Sequence, residues 1–407
     1  MRVGLVIEQF DTRRGGLEQW CFQFAVQLLR RGHTVHVVSQ RFCPSVRRLP
    51  LVRHVIPYGH SRFAFPTMAE ACLRTLDLDV IHDMGAGWYC DVFHPHGGSR
   101  RSATERSLYL HPAWMRPFKT WLQDWLPRYR QFDVLNARQY VNDGRLILAL
   151  SHSVVADFAH YHGVPGSQVR LVYNGVDPDR FSPEHRDVYR RSMRARLGVE
   201  DQTLVLLMVA HNLRLKGVPA VLRAARRLMV RGADFRLVIV GGKRLGSYLR
   251  WAREAGVADV VRFAGTVEDT VPWYSAADVF VHPTWYDPCS LVALEALACG
   301  LPVITTQFNG ASELMTPGSE GWALEDPADV EGIVQCVESL RDRDLREAMG
   351  QAARRLALQH PFSRNVDEVL NVYGEVAGRR RAGSAERMAV LDMPAEPHPT
   401  LPTQALI

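Results

Sequence analysis

Two successive series of short β-branched runs, each alternating with apolar stretches at helical spacing, constrain this 407-residue chain more than any other feature. Residues 2–7 predict a strand, and a loop ending in Gly15-Gly16 follows. Leu17, Trp20, Cys21, Phe24, Leu28 and Leu29 then recur as on a helix, Gly32 ends it, and 34–39 predict a second strand. Further strands are expected at 54–56, 80–82, 92–94, 146–151 and 170–173. A second series begins at 203–210 and continues through strands at 236–240, 261–264, 279–283 and 303–306, with helices at 218–228, 271–277 and 290–298. Such alternation predicts an α/β chain of two Rossmann-like domains facing each other across a cleft. The expected partition is 1–175 for the first domain, 176–361 for the second, a helix at 362–377 returning to the first, and a disordered tail at 378–407. The first βα loop lacks G-x-G-x-x-G, which removes most support for hydride chemistry.

Hydrophobic residues at 47% against 23% charged supply two cores and exclude a chain disordered throughout. No window approaches 18 consecutive apolar residues, and Glu8, Asp11, Arg13 and Arg14 interrupt the amino terminus, which argues against a membrane-spanning helix and a signal peptide. Seven scattered cysteines without a C-x-x-C pair point to a reduced, cytoplasmic protein with no zinc or disulfide framework. The net charge of +6 comes overwhelmingly from arginine. Lysine occurs only at 119, 216 and 243, so each lysine invites a question, with compositional bias the plain answer.

The sharpest local pattern runs from Asp287-Pro288-Cys289-Ser290-Leu291 through Glu295 to Gly300-Leu301-Pro302-Val303. Asp before Pro before an apolar run is a helix start, with Asp287 as its cap. The same geometry also offers free N–H groups at Ser290 and Leu291 as an anion site. Helical rise puts Glu295 up to about 12 Å from Asp287, the scale of a nucleotide sugar. Glu295 lies among Leu294, Ala296, Leu297 and Ala298, where a carboxylate is costly unless partnered.

Two carboxylates seven residues apart before Gly-Leu-Pro-Val resemble the Glu-x7-Glu motif of glycosyltransferase family 4, with Asp287 in the first position. Asn174-Gly175-Val176-Asp177 with Arg180-Phe181, Leu213-Arg214-Leu215-Lys216-Gly217, Asn309-Gly310-Ala311 with Glu313, and Gly15-Gly16-Leu17-Glu18 are similar to four other stretches of that family. The diglycine opening, Arg31-Gly32-His33-Thr34-Val35 and the Arg-x-Lys-Gly loop are most similar to its lipopolysaccharide-core glucosyltransferases. The resemblance covers about residues 1–377. It implies GT-B architecture, with the acceptor on the first domain and the nucleotide sugar on the second.

Carried over by residue, the resemblance implies that Lys216, helped by Arg214, neutralises the leaving diphosphate. Asp287 would hold hydroxyls of the sugar and Glu295 those of the ribose, while Cys289, Ser290 and Leu291 would line the donor site. His211 stands where many members carry Arg. Gly15 and Gly16 would let the backbone approach phosphate and acceptor closely, although a plain tight turn reads the same way. His96, in His94-Pro95-His96-Gly97-Gly98, would lie beside the anomeric carbon, and His82 would be structural. The resemblance implies retaining transfer of a hexose, UDP-glucose or similar, to a glycan or lipid-linked acceptor in cell-envelope synthesis.

No third ligand accompanies His94 and His96, and the D-x-D pairs at 77–79 and 177–179 fall beside a strand and in the interdomain segment. No essential metal and no cofactor is therefore expected. No Ser/His/Asp or Cys/His set argues for a covalent intermediate. From Arg100 to Arg130, seven basic residues interleave with Trp114, Trp121, Trp125, Tyr109, Phe118 and Tyr129. That pattern fits core packing with a solvated face, or docking on an anionic membrane; nucleic acid is not expected as a partner. The rival readings are a two-lobed sugar-binding protein without catalysis and an epimerase or phosphorylase.

Overall fold

The computed structural model describes residues 1–391. The amino-terminal lobe carries strands β1 (Arg2–Val6), β2 (Thr34–Ser39), β3 (Val52–Val55), β4 (Val80–Asp83), β5 (Val92–Phe93), β6 (Leu146–Ala149) and β7 (Val169–Leu171). They form one sheet in the order β3-β2-β1-β4-β5-β6-β7. The carboxyl-terminal lobe carries β8 (Leu204–Val209), β9 (Phe235–Val240), β10 (Val261–Gly265), β11 (Val279–Val281), β12 (Val303–Thr306) and β13 (Gly321–Leu324), ordered β10-β9-β8-β11-β12-β13. Pairing is parallel throughout, and β8, β11 and β12 are buried residue by residue, which is why their sequences read as continuous apolar runs. In both lobes the order reverses beside the first strand. At that switch point the strand ends open a crevice, and each crevice faces the other lobe.

The helices that build the site are α1 (Gly16–Arg30), α2 (Arg100–Leu108), α3 (Arg116–Trp125), α4 (His152–His162), α5 (Val218–Val230), α6 (Val271–Ala276), α7 (Leu291–Ala298) and α8 (Phe362–Leu391). Val366, Val369, Val372, Tyr373 and Val376 of α8 enter the core of the amino-terminal lobe with β1 and β2. Each such fully buried side chain contributes roughly 1.5–3 kcal/mol. The two crossings between lobes are bonded to each other: Val176 N–H donates to the His360 carbonyl (3.1 Å) and Phe362 N–H to that of Val176 (2.7 Å).

Two expectations change here. Residues 378–391, read as the start of a disordered tail, continue α8. Arg and Ala prolong a helix that docking has already nucleated. The remainder of that tail, 392–407, lies outside the described residues. The aromatics of the 100–130 stretch do not join a core: Trp114 is 79% exposed, and Phe118, Trp121 and Trp125 share its face at spacings of three and four. No helix of the described residues is long and apolar enough to cross a membrane.

Candidate active site

Lys216 and Asp287 meet at the carboxyl ends of β8 and β11. Gly217 has φ +86°, and a Cβ there would collide with the Pro283 carbonyl, so only glycine lets the 212–217 turn press against the 282–287 loop. This contact sets the Lys216 ammonium 2.6 Å from Asp287 Oδ2 and 3.0 Å from the Tyr286 carbonyl. Both side chains are mostly buried, at 18% and 14% exposure, and His282 Nε2 lies 3.7 Å from the same carboxylate oxygen. Burial opposes the charge on Asp287. The ammonium and His282 more than offset it, holding the carboxyl well below its usual range.

Asp287 does not cap the helix that follows. Its backbone is pinned as an isolated parallel bridge to Asn309, with Asp287 N–H on the Phe308 carbonyl and Gly310 N–H on its own carbonyl. The chain bends at Pro288 and Cys289, and Ser290 takes the cap position. Ser290 N–H donates to Asn309 Oδ1 and Asn174 Nδ2 donates to the Cys289 carbonyl. The N–H groups of Leu291, Val292 and Ala293 make no hydrogen bond among the described residues, and the buried Ser290 hydroxyl has no partner. The amino end of α7 is therefore open, with its partial positive charge uncompensated.

Glu295, one turn along α7, meets a different environment. It accepts from the Tyr274 hydroxyl of α6 at 2.8 Å and forms no ion pair among the described residues. Burial pushes its carboxyl up to about 7, against the Tyr274 hydrogen bond and the field of Arg180.

The other lobe comes close to this helix end. Gly15 caps α1, and a Cβ on Gly16 would sit 3.0 Å from the Leu291 side chain, so the amino ends of α1 and α7 face each other. His96 is packed on Trp20 (ring centroids 4.4 Å) and on His94 (4.0 Å), and burial lowers its imidazole to about 3, leaving it neutral. Its Nε2 has no hydrogen-bond partner among the described residues. Behind it, His94 Nδ1 pairs with His82 Nε2 at 3.2 Å and His82 Nδ1 with the Tyr373 hydroxyl at 2.7 Å. Gly98 approaches so near that a Cβ would strike the Tyr286 hydroxyl, which accepts from Ser99 N–H and donates to Asp157.

Known proteins resemble this chain in sequence and fold. The description "Glycosyltransferase Family 4" matches residues 14–180 and "Glycosyl transferases group 1" matches residues 190–356. A D-inositol 3-phosphate glycosyltransferase 2 of Catenulispora acidiphila is 31% identical, over 87% of this chain and 91% of its own. The chain is a family 4 glycosyltransferase. A D-inositol 3-phosphate glycosyltransferase of Corynebacterium jeikeium is 29% identical over 93% of this chain and 98% of its own. Among solved structures, WaaG, a glycosyltransferase involved in lipopolysaccharide biosynthesis, superposes with a TM-score of 0.76 at 21% identity, covering 91% of this chain and 99% of its own. HepE of Anabaena in complex with UDP and glucose gives 0.67 at 17%, covering 94% and 99%. The fold is GT-B and the enzyme a hexosyltransferase.

Within the transferase, Lys216, Asp287, Cys289, Ser290, Leu291 and Gly16 converge on one end of α7, and Glu295 lies one turn on. Arg214 does not join Lys216. Although residue 214 belongs to the same turn, its Nη2 donates to the Leu110 carbonyl of the other lobe at 2.8 Å. His211 is exposed beyond β8, without a side-chain hydrogen bond among the described residues. Asp177 accepts from the Asp179 and Arg180 N–H groups, and Asp79 accepts from Arg2 N–H, so both D-x-D pairs serve turns and strand ends. Three contributors escaped the sequence reading. Tyr274 and Tyr286 carry no motif. Glu313, noted only as part of a glycine turn, takes the His152 and Ser153 N–H groups at the start of α4 and the Tyr173 hydroxyl, tying the lobes together. An acid three residues after Gly310 was its only signal.

Proposed function

We propose that this transferase moves a hexose, with retention at the anomeric carbon, from a uridine diphosphate sugar to a hydroxyl of a glycan or glycolipid acceptor in lipopolysaccharide or other cell-envelope polysaccharide synthesis. The observation that carries the reading is the ammonium of Lys216 held on Asp287 beside the open amino end of α7. Diphosphate oxygens would accept from Leu291 and Val292 N–H and from Lys216, with Gly15 and Gly16 giving the phosphates room. Asp287 would then turn to hydroxyls of the sugar, and Glu295 would hold the ribose. The bond from the anomeric carbon to the diphosphate breaks as the acceptor oxygen bonds the same face, and the acceptor proton passes to the departing phosphate oxygen. Lys216 and the helix end supply the positive charge for this departure, so no essential metal or cofactor is invoked. Preorganised donors of this kind are each worth about a hundredfold or more. His96 stays neutral and would orient the acceptor by hydrogen bonding rather than by charge. Support for the donor comes from HepE, solved with UDP-glucose, and for the pathway from WaaG.

The exposed face of Trp114, Phe118, Trp121 and Trp125, beside Lys119 and Arg128, suits an anionic membrane surface, where lipid-linked acceptors reside. One experiment tests both parts: turnover of UDP-, GDP- and ADP-hexoses, with and without liposomes of anionic lipid at low salt. The expected result is turnover of the UDP sugar, with the protein sedimenting on the liposomes until salt is raised. Preference for another base corrects the donor, absence of turnover removes the reading, and absence of sedimentation removes the membrane.

A further inference from the structure

A cavity of about 550 Å³ lies where α2 and the segment leading into α3 meet the carboxyl-terminal lobe, and no residue of α7 lines it. Four arginines line it, Arg106 and Arg116 from one lobe and Arg214 and Arg223 from the other. None of the four forms an ion pair among the described residues. They are held by other means. Arg106 stacks 3.9 Å above Phe308 and Arg116 4.6 Å above Tyr109, with Arg116 Nε on the His111 carbonyl. Arg214 rests on the Leu110 carbonyl, and Arg223 is exposed on α5. Stacking and carbonyl contacts fix guanidiniums without neutralising them, so most of their N–H groups remain available to an oxyanion.

The rest of the lining narrows the ligand further. Tyr109 and Trp285 lie nearly parallel, 20° apart with centroids at 6.3 Å, and present an apolar surface. Glu325 and Asp326 stand exposed on the carboxyl-terminal wall. Guanidiniums donate to phosphate, carboxylates accept from hydroxyls, and an aromatic face covers the C–H side of a pyranose. We propose that this cavity binds a phosphorylated sugar unit of the acceptor. It lies next to the chemistry, because Arg214 and Trp285 belong to the same two chain segments as Lys216 and Asp287, joined by Trp285 N–H on the Leu215 carbonyl at 2.9 Å. The proposal rests on the transferase reading above, since only a transferase needs an acceptor.

The probe is glucose 6-phosphate, titrated calorimetrically into the full chain with free glucose as the neutral comparison. Arg223→Glu is the first variant, because the exposed side chain has no partner to lose among the described residues. Arg116→Gln/Arg223→Gln is the second, with melting temperatures recorded for both. Loss of charge-assisted contacts should weaken glucose 6-phosphate by at least about tenfold in either variant. Arg250→Gln, exposed on a separate helix, should bind like the unaltered protein, and Lys216→Ala, altered at the donor site, should lose less than about twofold. Unchanged binding in Arg223→Glu, loss confined to Lys216→Ala, or equal affinity for free glucose would each overturn the proposal. Absence of nucleotide-sugar turnover in the unaltered enzyme, with phosphate binding at the cavity intact, would instead strike the transferase reading.

Discussion

The two carboxylates of α7's neighbourhood are both withdrawn from water, and burial drives them in opposite directions. Asp287, before the helix, faces an ammonium and stays ionised far below its ordinary range. Glu295, on the helix, faces a neutral phenol and is pushed up to about 7. Burial alone therefore decides neither charge. The partner does, and the partner differs because the Lys216-Gly217 turn reaches one site while buried α6 reaches the other. The first end of the helix is built to hold fixed charge, the second to hold a hydroxyl-binding group whose charge depends on pH.

Removing the fixed charge should have the largest effect. Lys216→Ala is expected to lower turnover by about a hundredfold or more, read as kcat at saturating donor. It also leaves Asp287 buried and unpaired, which typically costs about 3–5 kcal/mol, so the melting temperature should fall. The double variant Lys216→Ala/Asp287→Ala should recover part of that loss. A fully additive double variant would show that the pair does not interact.

Glu295→Gln sharpens the contrast at the other end. A carboxyl raised from 4.5 to about 7 favours the folded state while protonated, so this contribution is lost as pH rises from about 4.5 through about 7. Unfolding stability should decline over that window in the parent and flatten in the variant. Donor KM should fall between pH 6 and 8 as the ionised form becomes available, and the variant should lose that slope. Asp287→Asn should leave the slope in place.

The smallest expected effect is at the contact between lobes. Tyr286→Phe removes a hydroxyl that links Ser99 N–H to Asp157. It should cost about 1 kcal/mol, seen as a few-fold rise in KM with the Glu295 pH slope unchanged. An unaltered KM would mean that Tyr286 does not couple the lobes.

Much of this was legible in sequence, for identifiable reasons. Periodicity reports burial, so both βα series and the strands at 34–39 and 303–306 could be read directly. The spacing of Asp287 and Glu295 and the Lys216-Gly217 pair drew attention to the helix end. What stayed hidden depends on partners distant in the chain. Asp287 reads locally as a helix cap and is prevented from being one by a bridge to Asn309. Arg214 reads as a neighbour of Lys216 and is taken by Leu110. Tyr274, which partners Glu295, lies 21 positions upstream of it. The aromatic stretch from 109 to 129 fitted burial equally well until its face was found exposed.

A crystal structure with bound UDP would show whether the diphosphate sits at the amino end of α7. A phosphate oxygen is expected within about 3 Å of both Lys216 Nζ and the Leu291 or Val292 N–H. A diphosphate bound away from α7, with Lys216 still engaged only by Asp287 and Tyr286, would contradict it.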